Sequence, residues 1–301
     1  MRIRPYHESD IAELTDLVNE AQRESYEFIA RTERDVQERL SGASCVLLAI
    51  DEEDSIAGLA YLRQDWYGET LTLSVRWGRS QDEIADLLLP IIEPQNKTGV
   101  VSTSIEPQNQ ARLALFTSRG YTRESSLYQL IARLDHPLAP PQVAAGYVVR
   151  SLSPDEEEAF IRLANASYEG ERLRPGILAR WKEGDPTFDS DLIQVAEYEG
   201  QLVALVAARS DLAYNRHYGG RRGYLGPAGT LPTHRGNNLS KALTARAMNL
   251  LRERGMQTAC LHTWDKNPSA LAVATSLGFR VEHEFIILHK TFDQVGMRRA
   301  S

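Results

Sequence analysis

The chain repeats itself. Asn109 and Asn267 lie 158 positions apart (267 − 109), and so do Gly120 and Gly278, and Tyr121 and Phe279. Each half carries an Asn, a Gly eleven positions on (120 − 109, 278 − 267), then an aromatic: Asn109…Ser118-Arg119-Gly120-Tyr121 and Asn267…Ser276-Leu277-Gly278-Phe279. A period of this length is that of a whole domain, not of a solenoid unit, so it points to duplication of a domain. The 301 residues suffice for two domains of ordinary size. Between the copies runs His136-Pro-Leu-Ala-Pro-Pro-Gln-Val-Ala-Ala-Gly146, whose three prolines and small residues read as a linker. The expected organisation is a domain over 1–135, a linker over 136–146 and a domain over 147–301.

The order of elements supports the duplication. The first half reads strand (2–5), helix after Glu8-Ser9-Asp10, second helix (33–40), and a hairpin of apolar runs 44–50 and 56–62 across Asp51–Asp54. Strand 70–75, a helix marked by Ile84, Leu87, Leu88 and Ile91, strand 100–104, a helix stopped at Gly120 and a last strand 127–134 follow. The second half restarts with strand 147–150, then a helix opened by Ser153-Pro154-Asp155-Glu156, whose acidic run Glu156-Glu157-Glu158 reads as a solvated helix start. A second helix over 173–182, a hairpin across Glu199-Gly200, strand 257–264, helix 269–277 and strand 281–289 complete it. The fold class is α/β (α+β): two tandem domains, each a mixed, mostly antiparallel twisted sheet flanked by helices.

The most informative stretch is Gly229-Thr230-Leu231-Pro232-Thr233-His234-Arg235-Gly236-Asn237-Asn238-Leu239-Ser240-Lys241-Ala242-Leu243. It reads as strand, tight turn, helix. Leu239, Leu243, Ala247 and Leu250 recur at helical spacing, so the helix runs over about 238–254 and stops at Gly255. Gly and Asn take positive φ most easily, so the Arg-Gly-Asn-Asn turn can curl and aim several N–H groups at one point. Those donors sit at a helix N-terminus, where the macrodipole is positive, and Arg235 and Lys241 add cations. Such a pocket suits a diphosphate. The order Pro-x-His-Arg-Gly-x-x-Leu-x-x-Ala-Leu resembles the acetyl-CoA pyrophosphate loop of the GNAT superfamily of N-acetyltransferases, whose pattern is (Gln/Arg)-x-x-Gly-x-(Gly/Ala). Here Asn238 and Ser240 stand at the two family glycines. The Asn…Leu-Gly-Phe segment also resembles the end of the GNAT fold, so the resemblance covers nearly the whole chain. The duplication is similar to the tandem architecture of mycothiol synthase and its relatives.

The resemblance implies an acetyl-CoA site in the second domain formed by Gly229, Thr230, Leu231, Arg235, Gly236, Asn237, Asn238, Leu239, Ser240 and Lys241. Pantetheine would insert between splayed strands 224–231 and 257–264, with backbone groups near Thr230 and Leu231 bonding it like an added strand. Asn267 stands where the family holds the pantetheine arm; read from its residues alone, the same Asn before Pro268 is a helix N-cap. The first domain has Ser74–Ala85 where the loop should be, and Gln81-Asp82-Glu83 would put two carboxylates where phosphates lie. It is expected to bind no CoA.

The family's thiolate-protonating Tyr is absent: the position holds Ala274, and Phe116 in the first half. An amine acceptor must lose a proton before attack, and a group titrating near 7 would help. The catalytic candidates are His262 as base and Tyr224 to position the acceptor. His262 also reads as a histidine with a structural hydrogen bond. Asp265 and His217, the latter in a polar, aromatic loop over 211–222, are further candidates.

Composition narrows the partners. A net charge of −7 argues against nucleic acid. No apolar run approaches a membrane span, and the N-terminus lacks the apolar core of a signal peptide, so a cytoplasmic protein is expected. Cys45 and Cys260, each in an apolar run, are expected as buried thiols. No metal cluster stands out. The expected function is acetyl-CoA-dependent acyl transfer to a small amine, by a monomer or homodimer. The alternative is a GNAT-like protein that holds acyl-CoA or another ligand without turnover.

Overall fold

The computed structural model describes residues 1–65, 68–168 and 170–292. The chain forms two compact units: residues 1–126 together with the chain from Glu284, and residues 127–283.

In the first unit, β1 (Arg2–Pro5), α1 (Ile11–Gln22), α2 (Glu33–Ser41), β2 (Ala43–Ile50), β3 (Ile56–Asp65) and β4 (Gly68–Val75) precede α3 (Gln81–Ile92), β5 (Val100–Ile105) and α4 (Gln110–Thr117). The apolar stripe Leu14, Leu17 and Val18 of α1 packs with Val36 and Leu40 of α2 on Leu48, Ile50 and Leu59. The opposite sheet face is covered by Ile84, Leu88, Leu89 and Ile92 of α3. Neighbouring strands run antiparallel except β4 and β5, which are parallel and paired only at Glu69↔Val101 and Thr70↔Ser102 before they part.

The second unit runs β7 (Tyr147–Ser151), α5 (Glu157–Ser167), α6 (Ile177–Gly184), β8 (Ile193–Tyr198), β9 (Gln201–Ser210), α7 (Leu212–Tyr218), β10 (Arg222–Thr230), α8 (Leu239–Glu253), β11 (Thr258–Trp264) and α9 (Pro268–Ser276). Strand β9 is buried throughout Val203–Ala208, because α5 and α8 both pack against it.

The two copies exchange their last strands. Strand β6 (Thr122–Arg133) follows α4 directly, yet its residues Leu127–Arg133 pair antiparallel with β11, from Leu127↔Trp264 to Arg133↔Thr258. The final strand, β12 (Arg280–Thr291), pairs with β5 from Ile286↔Ile105 to Thr291↔Val100. Its Lys290 reaches buried Glu93 at 2.6 Å, and Glu93 also accepts from the Tyr121 hydroxyl at 2.9 Å. Sequence order suggests cuts at 135 and 147; the compact units instead divide at 126/127 and 283/284. The segment read as a linker is also tied down: Asn249 of α8 bonds the Leu138 amide and carbonyl, each at 2.8 Å.

The repeated residues have a local cause. Asn109 and Asn267 cap α4 and α9, accepting from Arg112 and Ala270 amides at 3.1 Å each. Gly120 (φ 86°) and Gly278 (φ 90°) end those helices in the left-handed conformation. The next amides, of Tyr121 and Phe279, return to the carbonyls of Phe116 and Ala274, and both aromatics are buried.

Three local expectations change. Helix α6 begins at Ile177, not near 173, because Arg174-Pro175-Gly176 forms the turn before it, with Gly176 at φ 78°. The expected loop 211–222 contains α7, capped by the Asp211 side chain on the Tyr214 amide. Glu156 is not merely solvated: Arg150 grips it with two bonds of 2.7 Å, and that guanidinium holds its carboxyl down to about 2. Cys45 and Cys260 form no disulfide; the first is half-buried and the second buried.

Candidate active site

Strands β10 and β11 are parallel and pair only at Arg222↔Thr258, Gly223↔Ala259 and Tyr224↔Cys260. Beyond Tyr224 they part. On its other side β10 stays paired with β9, through an irregularity between Leu225 and Ala228. The Leu231 amide donates to Val203 of β9 at 2.9 Å, and the period-2 alternation then turns the backbone of Ala228 and Thr230 toward the gap. Ala228 is already engaged there: the Tyr168 hydroxyl donates to its carbonyl at 2.8 Å and accepts from its amide at 3.1 Å. The Thr230 carbonyl accepts from Arg235 Nε at 3.3 Å. Leu231 is a poor backbone contact for a ligand, since its carbonyl too is used, by the His234 amide. Gly229 is required by packing: a Cβ there would lie 2.5 Å from Cβ of Ser167.

After a single turn at Pro232–His234 the chain enters α8. Gly236 has φ 84°, and Asn238 takes φ 61°, ψ 10°, the left-handed conformation that Asn adopts at modest cost. The Asn238 side chain does not cap the helix. As a result the amides from Gly236 to Lys241 have no acceptor among the described residues; the next amide, of Ala242, bonds the Asn238 carbonyl at 3.0 Å. No acidic residue stands in the first turn of α8, whereas Lys241 does, and neither Arg235 nor Lys241 forms an ion pair among the described residues. Cations at a helix N-terminus oppose the macrodipole, so an anion is the missing counter-charge.

The corresponding helix of the first unit is closed. The Ser80 hydroxyl caps α3 by accepting from the Glu83 amide at 3.3 Å, and Asp82 and Glu83 fill its first turn. Asp82 also binds Arg119 at 2.9 Å.

The loop is braced from behind by residues that sequence reasoning missed. The Tyr147 hydroxyl lies 3.0 Å from His234 Nδ1 and accepts from Asn237 Nδ2 at 3.1 Å. Tyr198 packs on both Tyr147 and His234, with ring centroids 4.9 and 5.4 Å apart. Asn237 therefore turns its side chain inward and offers a ligand only its amide. The one signal in the sequence was the aromatic content of β7 and β8; their proximity to the loop is tertiary.

The rings of Tyr224 and His262 lie 5.8 Å apart between centroids. Tyr224 is the last paired residue before the gap, and burial pushes its hydroxyl up to about 12. Arg209, which sequence reasoning missed, lies over the Tyr224 ring at 5.5 Å and the Trp181 ring at 4.6 Å, with its Nε buried and without an acceptor. His217 is exposed near the end of α7, against Tyr218. Asp265 has one buried carboxylate oxygen without a partner. Asn267 spends its Oδ1 on the α9 cap, and its Nδ2 remains open to a ligand. Ala274 and Phe116 are buried and apolar.

Known proteins share this fold. Residues 148–281 match the acetyltransferase (GNAT) domain model, which spans the parted strands and the α8 loop. Among solved structures, a GCN5-related N-acetyltransferase from Sphaerobacter thermophilus superposes with TM-score 0.68 at 16% identity, covering 96% of this chain and 95% of that one. A tandem GNAT protein from the clavulanic acid biosynthesis pathway superposes with TM-score 0.65 at 16% identity, covering 96% and 98%. Residues 148–281 thus form an acetyltransferase (GNAT) domain, in a chain whose fold is like that of a tandem GNAT protein. The chain is similar to mycothiol acetyltransferases: that of Thermobispora bispora is 28% identical over 79% of this chain and 81% of its own length. That of Cellulomonas flavigena is 30% identical over 48% of this chain and 43% of its own. The chain thus spans about half the length of some of these curated relatives. No helix among the described residues is long and apolar enough to cross a membrane.

Proposed function

We propose that the second unit transfers an acetyl group from acetyl-CoA to the amine of a small molecule, directly and without an acyl-enzyme. The observation that carries this reading is the open N-terminus of α8: free amides from Gly236 to Lys241, flanked by Arg235 and Lys241, at the mouth of the gap between β10 and β11. A diphosphate fits that cluster of donors and charge. The Thr230 amide, on the β10 edge that faces the gap, is the backbone group with which a pantetheine arm would pair, and Asn267 Nδ2 can hold the arm from α9. Acetyl-CoA supplies the acyl group as a thioester.

The chain's residues then divide the remaining work. His262 takes the proton that the amine must lose. Tyr224, a phenol protonated at neutral pH and pushed further up by burial, donates a hydrogen bond to the acceptor or the carbonyl oxygen. Ala274 offers no proton to the leaving sulfur, so water serves that step; a thiol near ~8.5 leaves without strong acid catalysis. The similarity to mycothiol acetyltransferases makes a mycothiol-type precursor the first acceptor to try, ahead of aminoglycosides, amino acids and protein N-termini. The test is a steady-state assay with acetyl-CoA and that panel, reading free thiol. CoA binding with no product from any acceptor would favour a ligand-holding protein over an enzyme.

A further inference from the structure

The first unit holds a cavity of about 1030 Å³. It lies where β4 and β5 part, and it extends to Tyr61, Arg31, Arg39 and Arg63 beneath α1 and α2. Nothing in the second unit's chemistry uses it. We propose that this cavity binds a compact dianion, a phosphate ester or a dicarboxylate, held by Arg31 and Arg39.

Arg31 is placed by its own backbone. Its amide donates to Asn19 Oδ1 at 2.8 Å and its carbonyl accepts from Asn19 Nδ2 at 3.0 Å, which anchors the loop after α1 and brings the side chain to the cavity. The guanidinium then finds almost nothing. Its Nε is buried with no acceptor, and one Nη makes only a 3.5 Å contact with Gln22. The guanidinium of Arg39, half-buried on α2, has no hydrogen bond or ion pair among the described residues. Burial, then the like charge of Arg39, lower the pKa of Arg31, against the opposing charges of Tyr61 and Asp35. Of Arg31, Arg39 and Arg63, only Arg63 has a carboxylate, Asp65 at 2.9 Å. Two forked cations thus share one polar recess and neither forms an ion pair among the described residues, in a chain of net charge −7. Burying unpaired charge is expensive, and a doubly negative ligand offsets it with bidentate geometry. Of the carboxylates near the cavity, Glu20 lies 3.6 Å from Arg76, Glu106 accepts from the Tyr26 amide and Gln108, and Asp35 is held in the α2 cap by Thr32; Glu24 and Glu27 also line the cavity.

The occupant is compact, not a CoA. Arg112 crosses the gap and donates to the Leu73 carbonyl at 2.5 Å, on the β4 edge where an added strand would pair. The capped N-terminus of α3 removes the diphosphate cradle.

The test is titration calorimetry of the full chain carrying Arg235→Ala, which weakens the loop of the second unit, with inorganic phosphate and with succinate as probes. At least one probe should bind saturably, more weakly as salt rises. Arg31→Gln and Arg39→Gln should each weaken it tenfold or more, and the preferred probe tells a phosphate site from a dicarboxylate site. Thermal melts separate recognition from structure: ligand-free Arg31→Gln should melt at or above the parent, since a buried unpaired charge is removed, and should lose the ligand-induced rise. Absence of saturable binding by both probes would overturn the proposal. So would parent-like binding in both Arg variants, a fall in the ligand-free melting temperature with binding retained, or binding of CoA to this unit in preference to the small anions.

Discussion

Asn238 offers the sharpest test of the α8 loop. It occupies φ 61°, ψ 10°, and the bend there leaves the amides of Gly236 to Lys241 unpaired. Glycine takes this conformation freely, Asn at modest cost, and a β-branched residue only as an outlier. Asn238→Gly relieves local strain but adds freedom to the unfolded chain, so CoA affinity should shift by no more than about 1 kcal/mol, or roughly fivefold. Asn238→Val faces a penalty of about 1–2 kcal/mol in the left-handed region. If the backbone escapes it by rotating, one or two charge-assisted bonds to the diphosphate are misdirected, at about 1.5–3 kcal/mol each. Val should therefore weaken CoA binding by about tenfold to a hundredfold, since 1.4 kcal/mol is tenfold. Asn238 is exposed and its side chain caps nothing, so the fold itself should survive, which a thermal melt would verify. Calorimetric titration with CoA reads the effect. If Asn238→Val binds as tightly as the parent, the curled backbone is not the binding element, and the shared fold would stand without this cofactor site.

Other expectations follow from the same structure. Arg235→Ala should weaken CoA binding, and its deficit should shrink as salt rises, because charge and not shape is lost; a salt-independent deficit would count against the electrostatic role. Gly229→Ala should destabilise the chain by about 1–3 kcal/mol in urea unfolding, because its Cβ meets Ser167 at 2.5 Å, and Ser167→Gly should restore most of the loss. With Tyr224 at about 12, its hydroxyl stays protonated, so the pH–rate profile should show no alkaline fall before about pH 11 that Tyr224→Phe abolishes. The Glu156 carboxyl is depressed from 4.5 to about 2, so its contribution is present above pH 4.5 and lost as pH falls toward 2. Glu156→Gln should flatten the stability curve in that window, and an unchanged acid slope would show that Arg150 does not hold it.

Much of this protein is written in one dimension. Duplication is legible because it is spaced repetition, and the repeated Asn, Gly and aromatic residues act within their own helices as cap, left-handed stop and buried anchor. The Arg235–Asn238 turn was legible for the same reason: positive φ and an open helix N-terminus are properties of a few consecutive residues. Even the closure of the first unit's helix was foreshadowed by Asp82 and Glu83.

What the sequence left open depends on partners far along the chain. Period-2 alternation says that 127–134 and 281–289 are strands, but both copies offer β5-like and β11-like edges of the same kind. Which edge each strand takes was decided by tertiary contacts such as Lys290 with buried Glu93. The brace of Tyr147, Tyr198 and His234 behind the loop, the Tyr168 hydroxyl on Ala228 and the Ser167 contact at Gly229 all join residues at least 36 positions apart (234 − 198). The same holds for Arg31 and Arg39: two arginines eight positions apart (39 − 31) read as ordinary surface charge. Only the fold, by turning both toward one recess and giving neither an ion-pair partner, makes them a site, because the cost of an unpaired charge is set by its surroundings and not by its neighbours in sequence.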